Sequence, residues 1–288
     1  MQRSARAYAK INIGLLIRNR RSDGFHEIET VFHRIDLFDD LLLEPSDSIT
    51  VRSSSSDAPS DETNLCHRAA RLLRGELGCS FGVSISLTKR IPAGAGLGGG
   101  SSDAAAVLRE LPGLWGRKID ERRLDAIASQ LGSDVSFFLR DGSAVAAGRG
   151  EQLEYFPLKV PYTVLLCTPA IHVSTAWAYS EVLPEPGRVL PGLRESVVAG
   201  MREPALLRST VTNDLEKPVF RHYPEIATIK EMLLEHGAIF ALMSGSGSSV
   251  YGLFDTQLAA HAAGREIAAG GCSIAFTAPG FQPETAGT

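Results

Sequence analysis

The chain has little of what would place it outside the cell, in a membrane or on a nucleic acid. It has only four cysteines, and Cys66, Cys79, Cys167 and Cys272 are too scattered for metal or redox spacing. No apolar run approaches the length of a membrane span, and the N-terminus lacks the apolar core of a secretory signal. These absences predict a cytoplasmic protein with reduced thiols and no membrane partner. Charge of one sign is missing too: 29 Lys and Arg stand against 33 Asp and Glu. With a net charge of −4 and no basic run, no nucleic-acid partner is expected. An apolar fraction of 44% and 288 residues suit one large globular domain or two ordinary ones.

What the chain does have is glycine concentrated in one place. Pro92, Ala93, Gly94, Ala95, Gly96, Leu97, Gly98, Gly99, Gly100, Ser101 and Ser102 run into Asp103 and the alanines 104–106. Glycine permits positive φ and lets the backbone approach a ligand closely. Ser101 and Ser102 offer hydroxyls and a cap, an alanine-rich helix follows, and a helix N-terminus favours an anion. Together these describe a phosphate cradle. A Walker loop needs a lysine directly after its glycines, and none is present. A dinucleotide fingerprint matches formally at Gly94, Gly96 and Gly99, with Asp120 at the following acidic position. Asp120, however, lies in a polar stretch rather than at the end of an apolar strand. A mobile glycine-rich turn and the phosphate loop of another kinase class remain.

The surrounding pattern alternates strands and helices. Residues 6–17 read as a strand with Tyr8, Lys10 and Asn12 on one face. Residues 25–43 read as further strand, broken at Asp39 and Asp40. A polar loop spans 53–61, a helix 64–73 and a clean strand 83–87, so strand, glycine loop and helix follow in order. Gly132 stops a helix over 121–131, and Ser133 can cap a short one beginning at Asp134. A strand pair covers 144–153. Residues 155–161 mark a boundary, which divides the chain into domains 1–155 and 156–288. Beyond it come a strand over 162–167, a helix from Ser174 and two further helical stretches, the clearer over 224–236. A hairpin over 238–254, a helix over 256–268 and a strand over 273–277 follow. The fold class is α+β, with helices on one face of an antiparallel sheet in the second half. The polar end after Phe281 is expected to fray.

Two residues could do chemistry together. Asp134 alone reads as a carboxylate satisfying a helix dipole, and Lys10 alone as a solvated strand lysine. Paired, they supply a proton acceptor and a cation, which phosphoryl transfer requires alongside positioning. The tract Ser244, Gly245, Ser246, Gly247, Ser248, Ser249 is either an ordinary hairpin turn or a second wall of the site. His26, beside Phe25 and after an Asp-Gly turn, is the histidine of interest. The other six histidines show no metal-ligand grouping, and no metal ligands are expected.

These motifs resemble the GHMP kinases, which include galactokinase and the homoserine and mevalonate kinases. Five segments carry the likeness in order: residues 9–13, 21–28, 96–105, 132–138 and 244–250. Within that superfamily they are similar to the branch that phosphorylates a cytidylylated sugar alcohol in non-mevalonate isoprenoid synthesis. The resemblance implies two domains, an N-terminal mixed α/β one and a ferredoxin-like C-terminal one, with ATP and a small-molecule substrate between them. It implies a catalytic Lys10 and Asp134, and an ATP site made by the glycine loop with Asn64 and Lys89. It places Asn12 at the tetritol, His26 at the cytosine edge, an aromatic at Phe25 against the ring, and Thr175 and Tyr179 on the substrate side. Either Trp177 or Tyr179 would be the second aromatic wall. Mg2+ is expected with ATP. The family often has Tyr where Phe25 stands, and Ala and Pro where Ser133 and Ser136 stand. Alternatives are a homoserine or mevalonate kinase, or a catalytically silent sensor. The Asp-Gly-Phe-His segment disfavours the former, because a small acyclic substrate needs no nucleobase pocket. Intact Lys10 and Asp134 disfavour the latter.

Overall fold

A computed structural model describes residues 2–182 and 192–284. The first sheet holds β1 (Arg3–Arg20), β2 (His26–Ser46), β3 (Ile49–Ser53), β4 (Gly82–Thr88), β5 (Ser143–Gly148) and β6 (Gln152–Phe156). Its order is β3-β4-β2-β5-β6, with β1 also paired to β2. Only β3 and β4 run parallel. The second sheet holds β7 (Thr163–Thr168), β8 (Phe240–Met243), β9 (Val250–Phe254) and β10 (Ser273–Thr277) in the order β10-β7-β9-β8. All its pairings are antiparallel, in the split βαβ arrangement of ferredoxin-like folds.

The first half contains helices α1 (Leu65–Leu77), α2 (Gly99–Leu114), α3 (Glu121–Leu131) and α4 (Ser133–Phe137). The second contains α5 (Thr175–Ser180), α6 (Leu193–Gly200), α7 (Pro204–Thr210), α8 (Glu216–His222), α9 (Pro224–Glu235) and α10 (Gln257–Ala269). Side chains alternate across each strand, and that alternation builds three apolar layers. Leu41, Leu43, Val83 and Ile85 of the first sheet meet Ala69, Leu73, Ala105 and Leu108 of α1 and α2. Ala9, Ile11 and Ile13 face the other way, onto Val164, Leu166, Tyr251 and Leu253 of the second sheet. Leu165, Cys167 and Phe254 on that sheet's far side pack under α9 and α10. The stack is therefore helix, sheet, sheet, helix.

Several boundaries differ from the sequence reading. The register of β1 on β2 shifts between Tyr8 and Lys10. An irregularity there turns the following side chains to the opposite face. Tyr8 accordingly packs edge-on to Phe38 and at a tilt to Phe281, away from Lys10 and Asn12. Strand β2 does not break at Asp39, because that buried carboxylate is satisfied by Lys89 and by the N–H groups of Arg90 and Ile91. The cap of α2 is Gly98, with φ +69°, so Ser101 and Ser102 lie inside the first turn rather than before it. Gly132, not Ser133, precedes α4. Among the described residues, four helices rather than two lie between α5 and β8. Asp120 is the N-cap of α3 and accepts from Arg123 N, which removes it from any dinucleotide motif. The end of the chain is docked as far as Glu284, through Phe281 on Tyr8 and Glu284 on Arg6. Residues 285–288 lie outside the described part.

Candidate active site

A cleft of about 1310 Å³ opens where the glycine loop, β1, α4, α5 and the Ser244–Ser249 loop converge. The register shift that turns Tyr8 away points Lys10 and Asn12 towards this cleft. Lys10 Nζ donates to Asn12 Oδ1 at 2.6 Å and to the Gly96 carbonyl at 3.0 Å. It also lies 3.8 Å from Asp134 Oδ2. Burial lowers the Lys10 pKa, and Asp134 opposes that shift. Asn12 in turn donates to Thr30 Oγ1 at 2.8 Å, which fixes its amide orientation. Asp134, in the first turn of α4, has a side chain one-third exposed (33%), so a ligand in the cleft can reach it.

The loop is shaped by close backbone approach. Gly94, Gly96 and Gly98 all have positive φ. At Gly96 a Cβ would stand 2.1 Å from the Ser244 carbonyl oxygen. That contact is reinforced by Ser244 Oγ donating to Gly96 O at 2.9 Å and by Ser249 N donating to Ala95 O at 3.3 Å. The late serine-glycine tract thus braces the glycine loop, and its Gly245 and Ser246 line the cleft. The first helical bond of α2 is Ser102 N to Gly98 O at 2.9 Å. A helix leaves its leading N–H groups without intrahelical partners, and Gly99, Gly100 and Ser101 carry those groups along the cleft wall. That is a fitting cradle for a polyphosphate.

The remaining sequence candidates divide. Asn64 lines the cleft, but its side chain is already used. It caps α1 by accepting from Cys66 N and donates to Pro59 O at 2.6 Å. Lys89 also lines the cleft, and is held between Asp39 and Asp103, 2.6 Å from the latter. Burial pulls the Lys89 ammonium down, but the two carboxylates outweigh it and hold it above its ordinary value. Burial pushes the Asp103 carboxyl up to about 7, with Lys89 opposing. Ser102 turns away from the cleft and donates to the Tyr8 carbonyl at 2.7 Å.

Of the residues expected on the substrate side, Phe25 is exposed (54%) at the rim under the Arg149 guanidinium, 4.8 Å from the ring centroid. His26 stacks on Tyr179, with centroids 5.6 Å apart. Burial, then the charge of Arg20, lowers the His26 pKa, which favours the neutral ring. Thr175 shares a 2.8 Å hydrogen bond with Ser246. Of the two aromatic candidates on α5, Tyr179 faces the cleft, whereas Trp177 packs on His222 and Tyr223. Sequence reasoning missed Arg20, Arg149, Asp39 and Asp103. Only Asp103 carried a signal, by following the two serines. Among the described residues no three His, Cys, Asp or Glu side chains group to hold a metal ion, and no helix is long and apolar enough to cross a membrane.

Comparison with known proteins identifies the family and the fold. The GHMP kinases N terminal domain matches residues 64–142, and the GHMP kinases C terminal domain matches residues 191–274. A 4-diphosphocytidyl-2-C-methyl-D-erythritol kinase of Chlorobium limicola is 45% identical over 96% of this chain and 97% of its own. One from Prosthecochloris aestuarii is 44% identical over 92% and 94%. A crystal structure of 4-(cytidine 5'-diphospho)-2C-methyl-D-erythritol kinase superposes with a TM-score of 0.81. It is 38% identical, over 96% of this chain and all of that one. The homoserine kinase of Cytophaga hutchinsonii, 24% identical, shares the fold with a TM-score of 0.70, over 96% and 95% of the two chains. The chain belongs to the GHMP kinases and, within them, to the 4-diphosphocytidyl-2-C-methyl-D-erythritol kinase family.

Proposed function

We propose that this chain transfers the γ-phosphoryl group of ATP to the 2-hydroxyl of 4-diphosphocytidyl-2-C-methyl-D-erythritol, giving the 2-phosphate and ADP. The single observation that carries the chemistry is Asp134 beside the buried Lys10 at 3.8 Å, in the cleft that the glycine loop borders. Asp134 accepts the hydroxyl proton as the oxygen–phosphorus bond forms and the bond to the ADP oxygen breaks. The Lys10 ammonium, 3.8 Å from Asp134, places positive charge near the base and the transferring group. Asn12, fixed by Thr30, orients the tetritol.

The N–H groups at the start of α2 and the Gly94–Gly100 backbone hold the ATP phosphates, with Asn64 and Lys89 on the base side. Mg2+ bound with ATP would neutralise charge there, beside the N–H groups of the glycine loop. Mg2+ commonly keeps several waters and few protein ligands. The cytosine stacks at Phe25 and meets His26 at its edge, with Tyr179 and Thr175 completing the wall. We divide the chain at 155/156 into an N-terminal part that binds ATP and a C-terminal part that supplies Thr175 and Tyr179. The reaction belongs in the cytoplasm, where ATP is available.

Turnover coupled to ADP release, compared on the cytidylylated substrate, mevalonate and homoserine, tests the reading. It expects activity on the first alone. Turnover on mevalonate or homoserine, or on none of the three, overturns it.

A further inference from the structure

A second cavity, of about 360 Å³, is lined by Ser102 where that residue turns away from the cleft. Four arginines, Arg6, Arg34, Arg109 and Arg140, share its wall. They are not equally occupied. Arg140 is spent on Asp125, with bonds of 2.8 and 2.6 Å. Arg34 is buried and donates to Asp141 at 2.8 Å and to the carbonyls of Phe137 and Arg140. Arg109 donates to the Phe138 carbonyl at 2.6 Å, and among the described residues no carboxylate pairs with it. The Nε–H groups of Arg34 and Arg109 are both buried with no hydrogen-bond partner.

A buried donor left unmade is costly, and a buried cation without a counter-charge more so. Burial, followed by the charge of Arg34, lowers the Arg109 pKa, and Asp141 and Glu110 oppose this without pairing with the guanidinium. The chain itself brings two carboxylates to this place. Glu284, near the C-terminus, lines the cavity and pairs with the exposed Arg6 at 2.9 Å. Asp141 is the other acid in the wall, and it is held by Arg34.

We propose that this cavity is a binding site for a phosphoryl-type oxyanion, free or at the end of a small ester, held by Arg109, Arg34 and Arg6. Glu284 occupies the Arg6 side in its absence and is displaced on binding. Planar guanidinium groups with free N–H donors match the tetrahedral oxyanion edge. The site also bears on the catalytic helix. Arg34 and Arg109 hold the carbonyls at the end of α4, which carries Asp134, and the Phe138 ring lies against Gly98.

The test titrates inorganic phosphate, and separately methyl phosphate, into the full chain while a non-hydrolysable ATP analogue saturates the cleft. Calorimetry should show one further equivalent of anion bound. Glu284→Gln should tighten it, and Arg6→Gln weaken it, by roughly two- to fivefold each, the weight of an exposed ion pair. Arg109→Met should abolish it. Because Arg109→Met can fail to fold, the two exposed substitutions decide. Tighter binding of methyl phosphate would identify an ester as the ligand, and tighter binding of phosphate the free ion. No anion bound beyond the cleft, or affinity unchanged in both exposed variants, overturns the proposal.

Discussion

His26, the first residue of β2, stacks on Tyr179 of α5 with ring centroids 5.6 Å apart and planes 29° from parallel. One aromatic layer therefore joins the two halves of the chain in the wall of the cleft. Phe25 stands outside this layer, exposed at the rim. Stacking on an aromatic ring is worth roughly 1–3 kcal/mol per base by alanine substitution. Phe25→Ala should accordingly raise KM for the cytidylylated substrate by about ten- to a hundredfold, with Phe25→Tyr nearly neutral. Tyr179→Ala should raise the same KM, whereas Trp177→Ala should act mainly on thermal stability. Steady-state kinetics with each substrate varied in turn provide the check. If Phe25→Ala and Tyr179→Ala weaken ATP binding instead, the two pockets are reversed.

The pair at the centre of the cleft gives a second prediction. Asp134→Asn keeps size and shape but removes the proton acceptor, so kcat should fall by about 10²–10⁴-fold. Affinity for an ATP analogue should change little. Lys10→Met should also cut kcat sharply, while relieving the cost of burying an ammonium. Its thermal midpoint should therefore stay close to the parent's. A Lys10→Met protein that unfolds early yet keeps full specific activity would make Lys10 a structural lysine.

Much of this was legible because local chemistry and global fold agree. Asn64, Asp120, Ser174 and Thr256 each cap the helix that follows them. The alternation of residues 83–87 became β4, and the glycine loop became the wall of the cleft. What stayed hidden depends on partners distant in sequence. The shift after Tyr8 reverses a face by one residue, which no alternation pattern encodes. Asp39 reads as a turn residue until Lys89, 50 positions away, pairs with it. Ser102 reads as a loop hydroxyl until β1 supplies the Tyr8 carbonyl it bonds. Helices α6, α7 and α8 are short, and their packing against neighbouring elements outweighs their weak periodicity.

The cluster around Lys89 predicts a pH effect on stability. Asp103 has a folded pKa raised to about 7 by burial, against the ordinary carboxylate value. Between those two values the folded state binds more protons than the unfolded chain, so stability falls as pH rises through that window. Asp103→Asn removes the titration while keeping an acceptor for Lys89. The melting temperature of the parent should therefore drop relative to the variant from about pH 4 to about pH 7. A difference that is flat with pH, or that moves the other way, would show that Lys89 fully compensates the charge.

The contact between Gly96 and Ser244 yields the last prediction. Gly96 has φ +78°, and an added Cβ would meet the Ser244 carbonyl oxygen at 2.1 Å. A non-glycine residue held at positive φ costs of order 1–3 kcal/mol, before the clash is counted. The obstructing atom is backbone, so no side chain can swing aside. Gly96→Ala must therefore push the glycine loop away from the Ser244–Ser249 loop. That movement also draws the Gly96 carbonyl from Lys10 Nζ, which it now meets at 3.0 Å. The expected result is a lower melting temperature, a raised KM for ATP and a reduced kcat, all in one variant. Gly100→Ala is the control. Its Cβ would lie 3.6 Å from Leu65 Cδ1, an ordinary contact, in a residue that is already helical. It should fold as the parent does. If Gly96→Ala keeps the parent's melting temperature and ATP affinity, the brace between the two loops has no part in shaping the site.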